Sequence, residues 1–213
     1  MKYCLGIDLG TSATKALLMA PDGAVLATAS AEHPIHAPRP GYSEQEPEDW
    51  WRSTVAAVGQ VLRKAKARGA DVASIGFSGQ MHGLVLTDAA GQPLRPSIIW
   101  NDQRTAREAA EIEQAVGGRR RLIELVGNPA MTSFTLTKLL WVRRHEPRIY
   151  DGAAHLLLPK DYIRLRLTGE FVGDVSDMSG TLMLDQRRRD WSPDIISAFQ
   201  IDLPRFSTGS HSK

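Results

Sequence analysis

Asp8, Gly10, Thr11, Ser12 and Lys15 lie close together in the stretch Leu5-Gly6-Ile7-Asp8-Leu9-Gly10-Thr11-Ser12-Ala13-Thr14-Lys15. A glycine lets backbone N–H groups approach an anion with no Cβ in the way, and the Thr and Ser hydroxyls add donors. A lone carboxylate such as Asp8 can hold a hydrated cation beside that anion. The apolar residues on either side read as two strands, so the glycine turn joins strand to strand. A dinucleotide fingerprint or a Walker loop would run from a strand into a helix N-terminus instead. An ordinary hairpin, in which Asp and Gly only shape the turn, has the same pattern.

Two further polar loops follow strand-like runs, where sites of α/β proteins are commonly built. Gln80-Met81-His82-Gly83 places an amide, a thioether and an imidazole ahead of a glycine, a set able to wrap a small polyol. A loop histidine bonded to a backbone carbonyl explains the same residues. Trp100-Asn101-Asp102-Gln103-Arg104 offers an indole platform with amide, carboxylate and guanidinium groups for a sugar. A helix start, with Asp102 as cap and Trp100 as staple, fits it equally well.

The elements that position these residues begin with three strands, Tyr3 to Leu9, Ala13 to Met19 and Ala24 to Ser30, forming an antiparallel meander. Pro47 opens a helix whose apolar face is read at Trp51, Val55, Val58 and Leu62. Val72 to Phe77 reads as a buried strand, and Leu84 to Thr87 with Leu94 to Ile99 as a second hairpin around Asp88-Ala89-Ala90-Gly91. Helices are expected over Gln103–Val116, Leu136–Arg144 (with Pro147 as a stop) and from Pro159 to Gly169. A strand is expected over Ala153–Leu158, and a last helix is capped by Ser192. Together they imply an α/β fold with a mixed sheet and helices on both faces. Residues 207–213, rich in Ser and Gly, read as a disordered polar tail after a domain spanning 1–206.

The chain has 213 residues and a formal net charge of +2, which gives no electrostatic case for nucleic acid or a membrane surface. Arg119–Arg121 and Arg187–Arg189 read as solvated surface. The single cysteine, Cys4, is expected to be a buried, inert thiol, consistent with a reducing cytoplasm. No apolar run reaches the ~18 residues that span a bilayer, and the N-terminus has no signal-peptide pattern.

Taken together, these loops resemble the FGGY carbohydrate kinases, which share the ribonuclease-H-like, actin-type ATPase fold. The resemblance runs from Asp8–Lys15 through Gly41-Tyr42-Ser43-Glu44-Gln45, Trp50-Trp51, Gly79–Gly83 and Ile99–Arg104. It continues through Lys138-Leu139-Leu140-Trp141, Leu158-Pro159-Lys160-Asp161-Tyr162 and Asp174-Val175-Ser176-Asp177, and so covers residues 2 to 206. The second and third loops and Leu158-Pro159-Lys160-Asp161-Tyr162 are similar to those of the pentulose-phosphorylating members, and glycerol kinases of the same family carry a different substrate loop.

The resemblance implies ATP and Mg2+ as cofactors and transfer of the γ-phosphate to the 5-hydroxyl of a pentulose, D-xylulose. Asp8 would stand at the phosphoryl group and hold the metal through water. Gly10, Thr11, Ser12 and Lys15 would bind the nucleotide phosphates. Met81 and His82 would line the sugar site, with Trp100, Asn101, Asp102 and Arg104 as further walls. Lys160-Asp161-Tyr162 reads as a helix start, and Asp177 as structural. Family members carry a C-terminal domain and a catalytic aspartate beyond this stretch; Asp202 lacks that motif. The chain by itself is therefore expected to be a very poor kinase, with weak self-association or a homodimer through its uncovered face. Two other readings remain: an actin-like ATPase, and a non-catalytic sugar-binding remnant.

Overall fold

A computed structural model describes residues 2–202, so the expected tail at 207–213 lies outside the described residues. Within the stretch expected as one domain, the contacts divide into two compact units. One comprises Met1–Ile35 with Glu46–Gln80, and the other His36–Gln45 with Met81 onward.

The first unit is a sheet with one helix. Strands β1 (Tyr3–Leu9), β2 (Ala13–Met19) and β3 (Val25–Glu32) form the expected meander. In the second unit, β4 (Glu44–Gln45) is a short strand described below. Helix α1 (Pro47–Lys64) crosses back over the sheet, and β5 (Val72–Gly79) then joins β1 in parallel, giving the order β3-β2-β1-β5. Pro47 sits in the first turn with Glu48 and Asp49 behind it, and Arg63 and Lys64 close the last turn, as the helix dipole favours.

Alternation along the strands sends Leu5, Ile7, Ala16, Leu18 and Ala29 to the α1 side. The opposite side stays open. Cross-strand pairing sets Ser78, Asp8, Lys15 and Ser30 in one row across it, and Gly76, Gly6, Leu17 and Thr28 in the next. These two rows line a groove of about 830 Å³.

Three expectations change here. The buried stripe of α1 is Trp50, Ser53, Thr54, Ala57 and Val61, one residue out of phase with the stripe read from sequence, and Val55 is 52% exposed. Small residues let the helix approach the sheet, and Ser53 takes part in a polar network that apolar counting cannot see. The β5 strand exists but is not buried: Ala73 to Gly76 are exposed, because β5 ends the sheet. Cys4 is only half-buried, with the Ser74 hydroxyl 3.3 Å from its sulfur.

The second unit is mostly helical. Short strands β6 (Val85–Thr87) and β7 (Ser97–Ile98) precede α2 (Ala106–Ala115), α3 (Arg119–Val126), α4 (Thr135–His145) and α5 (Pro147–Gly152). Strand β8 (His155–Leu157), α6 (Pro159–Thr168) and α7 (Val175–Met178) follow, then a 3₁₀ turn at Ser179–Thr181. Strands β9 (Leu184–Asp185) and β10 (Asp190–Trp191) and helix α8 (Pro193–Ala198) complete it.

The expected second hairpin is reduced to isolated bridges. The ladder partner of β6 is β8, and that of β7 is β4. Pro147 does not merely stop α4 but starts α5, its fixed φ suiting a first helical position. Helix α3 was not foreseen; Leu122 and Val126 are buried while Arg119–Arg121 stay solvated. The core gathers Leu84, Ile98, Ile112, Leu136, Leu139 and Leu156 with flanking residues.

Candidate functional site

The phosphate-type turn lies in the first unit. The Gly10 N–H donates to the Ala13 carbonyl at 3.0 Å and closes the turn. Gly10 does not adopt a positive φ, but a Cβ there would stand 3.0 Å from the Ala13 oxygen, so close approach rather than backbone freedom selects glycine. Asp8 is half-buried, and Ser78 Oγ donates to its Oδ1 at 2.7 Å. Its other oxygen and the exposed Lys15 share the open face of the sheet. Ser12 is exposed at the tip, and Thr11 is half-buried.

Sequence reasoning missed His33, which grips this turn from below. Its Nε2 lies 3.1 Å from the Gly10 carbonyl, its Nδ1 3.0 Å from Ser53 Oγ, and its main-chain N–H donates to the Ser12 carbonyl at 3.1 Å. A carbonyl only accepts, so Nε2 carries the proton and Nδ1 faces the Ser53 hydroxyl, which also donates to the Trp50 carbonyl at 2.9 Å. Thr14 Oγ1 joins the network, 2.8 Å from Ser53 Oγ. Burial holds the imidazole below its ordinary pKa, against the pull of the Gly10 carbonyl. No periodicity marks such a residue; only the fold brings positions 10, 33 and 53 together.

Apart from Gln80, which belongs to the first unit, the two loops lie in the second unit and leave their strands at one end. Leu84 bridges Ile98 in antiparallel fashion, so the residues before 84 and those after 98 emerge side by side. In the first loop Met81 is 53% exposed, while His82 is half-buried with φ +65°. A non-glycine residue in the left-handed region costs about 1 kcal/mol or more and persists only where its surroundings hold it.

They do hold it. Lys138 Nζ donates to the His82 carbonyl at 2.7 Å, as does Thr135 Oγ1 at 3.2 Å. The ring sits 4.5 Å from that of Phe134, and Nδ1 lies 2.9 Å from the Gly180 carbonyl. A Cβ on Gly83 would lie 2.5 Å from Pro159 Cγ, which explains the loop's glycine and gives Leu158-Pro159 a packing role. Burial, and then the Lys138 charge, keep His82 below its ordinary pKa, so the ring is neutral at pH 7. Burial pushes the Lys138 ammonium down to about 7.

In the second loop Trp100 and Asn101 are exposed, whereas the Asp102 and Arg104 side chains are buried and paired with each other. Arg104 grips Asp102 through Nε and Nη2, and its Nη1 lies 2.7 Å from Glu44 Oε1. The guanidinium stacks 3.8 Å above the Tyr42 ring and 4.9 Å from that of Trp141. Asp102 also accepts the Ser43 N–H at 2.6 Å. Both side chains are at most 2% exposed. Three separate motifs (Gly41–Gln45, Trp100–Arg104 and Lys138–Trp141) thus converge on one buried guanidinium that braces the turn carrying Trp100 and Asn101. The Lys160 motif is a brace of the same kind: its ammonium lies 2.8, 2.6 and 2.9 Å from Asp161, Asp174 and Asp177. Burial opposes that charge, but the carboxylates outweigh it and raise the Lys160 pKa, while burial lifts Asp161 to about 6.

Comparison with known proteins places these motifs. The sequence profile for the N-terminal domain of the FGGY family of carbohydrate kinases matches residues 3–212. Xylulose kinase of Bacillus subtilis is 43% identical over 201 residues, covering 94% of this chain and 40% of the relative. That of Escherichia coli is 43% identical over 97% of this chain and 42% of its own length. The chain thus spans about 40% of the length of the curated relatives it matches. Among solved structures, xylulose kinase from Rhodospirillum rubrum superposes with a TM-score of 0.91 at 28% identity, over 98% of this chain and 43% of that one. With its Asp-x-Gly-Thr-Ser hairpin turn and its two braced loops, the chain belongs to the FGGY family of carbohydrate kinases and corresponds to the N-terminal domain.

Proposed function

We propose that this chain is the phosphate- and pentulose-binding domain of an ATP-dependent xylulokinase, which transfers the γ-phosphate of ATP to the 5-hydroxyl of D-xylulose. The observation that carries the reading is His82. A neutral, half-buried imidazole is held in a strained backbone conformation beside the exposed Met81, in a chain whose similar proteins include xylulose kinases. Strain of this kind is a mark of ligand sites.

In this reading Met81, His82, Trp100 and Asn101 face the sugar, and Asp102 and Arg104 fix the turn behind them. Thr11 and Ser12 present donors to the nucleotide phosphates, Gly10 lets them approach the turn with no Cβ in the way, and Lys15 supplies nearby positive charge. Phosphoryl transfer depends on such positioning and charge neutralisation. Asp8 suits a magnesium ion held through its water shell, because it is a single hard carboxylate with one oxygen fixed by Ser78. When bound, that ion supplies charge neutralisation at the transferring phosphate. The cytoplasm, where ATP is available, is the compartment this reading implies.

Isothermal titration calorimetry with D-xylulose and, separately, with MgATP tests the reading. Xylulose binding in the absence of nucleotide is the expected result. His82→Ala should weaken it about five- to tenfold, the value of one hydrogen bond near 1 kcal/mol. Binding of nucleotide alone would favour an actin-like ATPase, and unchanged affinity in the variant would remove the loop from the site.

A further inference from the structure

The His82 ring is oriented by a partner 98 residues away in sequence, and that partner is a glycine for a reason of space. A Cβ on Gly180 would stand 2.4 Å from His82 Nδ1 and 2.5 Å from Cε1. Gly180 is not among the residues with positive φ, so its backbone would accept alanine and only the imidazole excludes one. Because the Gly180 carbonyl can only accept, Nδ1 must be the protonated nitrogen, and in the neutral ring Nε2 is then left with a lone pair. The Phe134 ring, tilted 53° to the imidazole, restricts the alternative of a flipped ring.

The carbonyl itself is held in place. Gly180 belongs to the 3₁₀ turn that follows α7, and Asp174 caps α7 by accepting the Asp177 N–H at 3.0 Å. Lys160 ties Asp174 and Asp177 to the start of α6, and Thr181 Oγ1 donates to the Met178 carbonyl at 2.7 Å. The charged motif that the kinase reading leaves without a role therefore has one: it anchors the turn that sets a proton on one side of the His82 ring.

We propose that Gly180 is a positioning residue that locks His82 as the Nδ1–H tautomer, presenting Nε2 as a hydrogen-bond acceptor and so selecting a ligand group that donates a hydrogen. A hydroxyl meets that demand, whereas a keto oxygen, an ether or a carboxylate does not. The statement about the ligand rests on the sugar-site reading above; the statement about the tautomer does not.

The two are separated by measuring the free chain first. Nitrogen-15 labelling of histidine, with ring correlations recorded at neutral pH and the His82 signals identified by their absence in His82→Gln, reads the tautomer directly without sugar. The expected result is a protonated Nδ1 and an unprotonated Nε2; the reverse pattern, or exchange between the two, would overturn the proposal. Gly180→Ala should abolish that fixed pattern and weaken D-xylulose binding about tenfold. Its retention of both would equally overturn it. If Gly180→Ala does not fold, the unsubstituted chain still decides the tautomer. A panel of monodeoxy xyluloses then tests selectivity: one missing hydroxyl should lose affinity in the unsubstituted chain, and no loss from any of them would overturn the selectivity. Absence of any xylulose binding, with the Nδ1–H pattern intact, would count against the sugar reading and sustain the tautomer.

Discussion

The Asp8–Lys15 turn and the His82 loop solve the same problem, holding polar groups ready for a ligand, by different means. The turn is main chain folded on itself: a hairpin, one internal N–H bond, and a histidine beneath it that binds two of its carbonyls. The loop is an unfavourable conformation held by distant groups: Lys138 and Thr135 on its carbonyl, Phe134 and Gly180 on its ring. Local geometry suffices where the backbone itself is the binding device. Where a single side chain must point one way, buried charge and packing from across the unit do the work.

That contrast sets an order of damage. Asp102→Ala should be the most severe change, because it leaves Arg104 buried with only Glu44 to answer its charge. Breaking such a pair costs about 3–5 kcal/mol, which urea denaturation would read as a lowered midpoint. A loss below about 1 kcal/mol would mean that the second unit does not depend on buried charge.

Lys138→Met sharpens the same point through pH. The Lys138 pKa is lowered in the folded chain from 10.5 to about 7, so between those values the unfolded chain holds the extra proton. Stability should therefore rise with pH across that window, by at most about 1.4 kcal/mol per pH unit from this one group. Thermal melts from pH 7 to 10 should show a flatter slope in Lys138→Met than in the unsubstituted chain, and equal slopes would contradict the lowered Lys138 pKa.

His33→Ala, in the first unit, should be milder, about 1–2 kcal/mol for the lost bonds to Gly10 and Ser53. Its signature is a nucleotide-affinity loss out of proportion to that destabilisation. Should it prove more damaging to stability than Asp102→Ala, the ranking of the two regions would be reversed.

The same division explains what could be read from the sequence. The meander, α1 and the glycine turn follow from local patterns: strand alternation, Pro47 with acidic residues behind it, and Asp22-Gly23 between strands. The polar loops were recognisable from their residue types. Their internal logic was not, since Asp102 reads equally as a sugar ligand and as a helix cap, while its pairing with Arg104 depends on Tyr42, Trp141 and Glu44, all distant in sequence. The α1 stripe slipped by one residue because Ser53 and Thr54 are buried for hydrogen bonding and close approach, a demand invisible to hydropathy. His33 and Gly180 gave no signal, because each acts on a residue far away in sequence.

The terminal strand β5 has a consequence for how this sequence can drift. From Ala73 to Ile75 its side chains are exposed, and among the described residues no strand pairs with its outer edge, a run of main-chain donors and acceptors. Anything that adds to that edge reads peptide groups, which nearly every amino acid supplies alike. Selection on such an edge acts on the straightness of the chain and its freedom from proline, and leaves side-chain identity loose. Mutational tolerance there would be wide in chemistry and narrow in backbone shape, the reverse of what His82 and Gly180 allow.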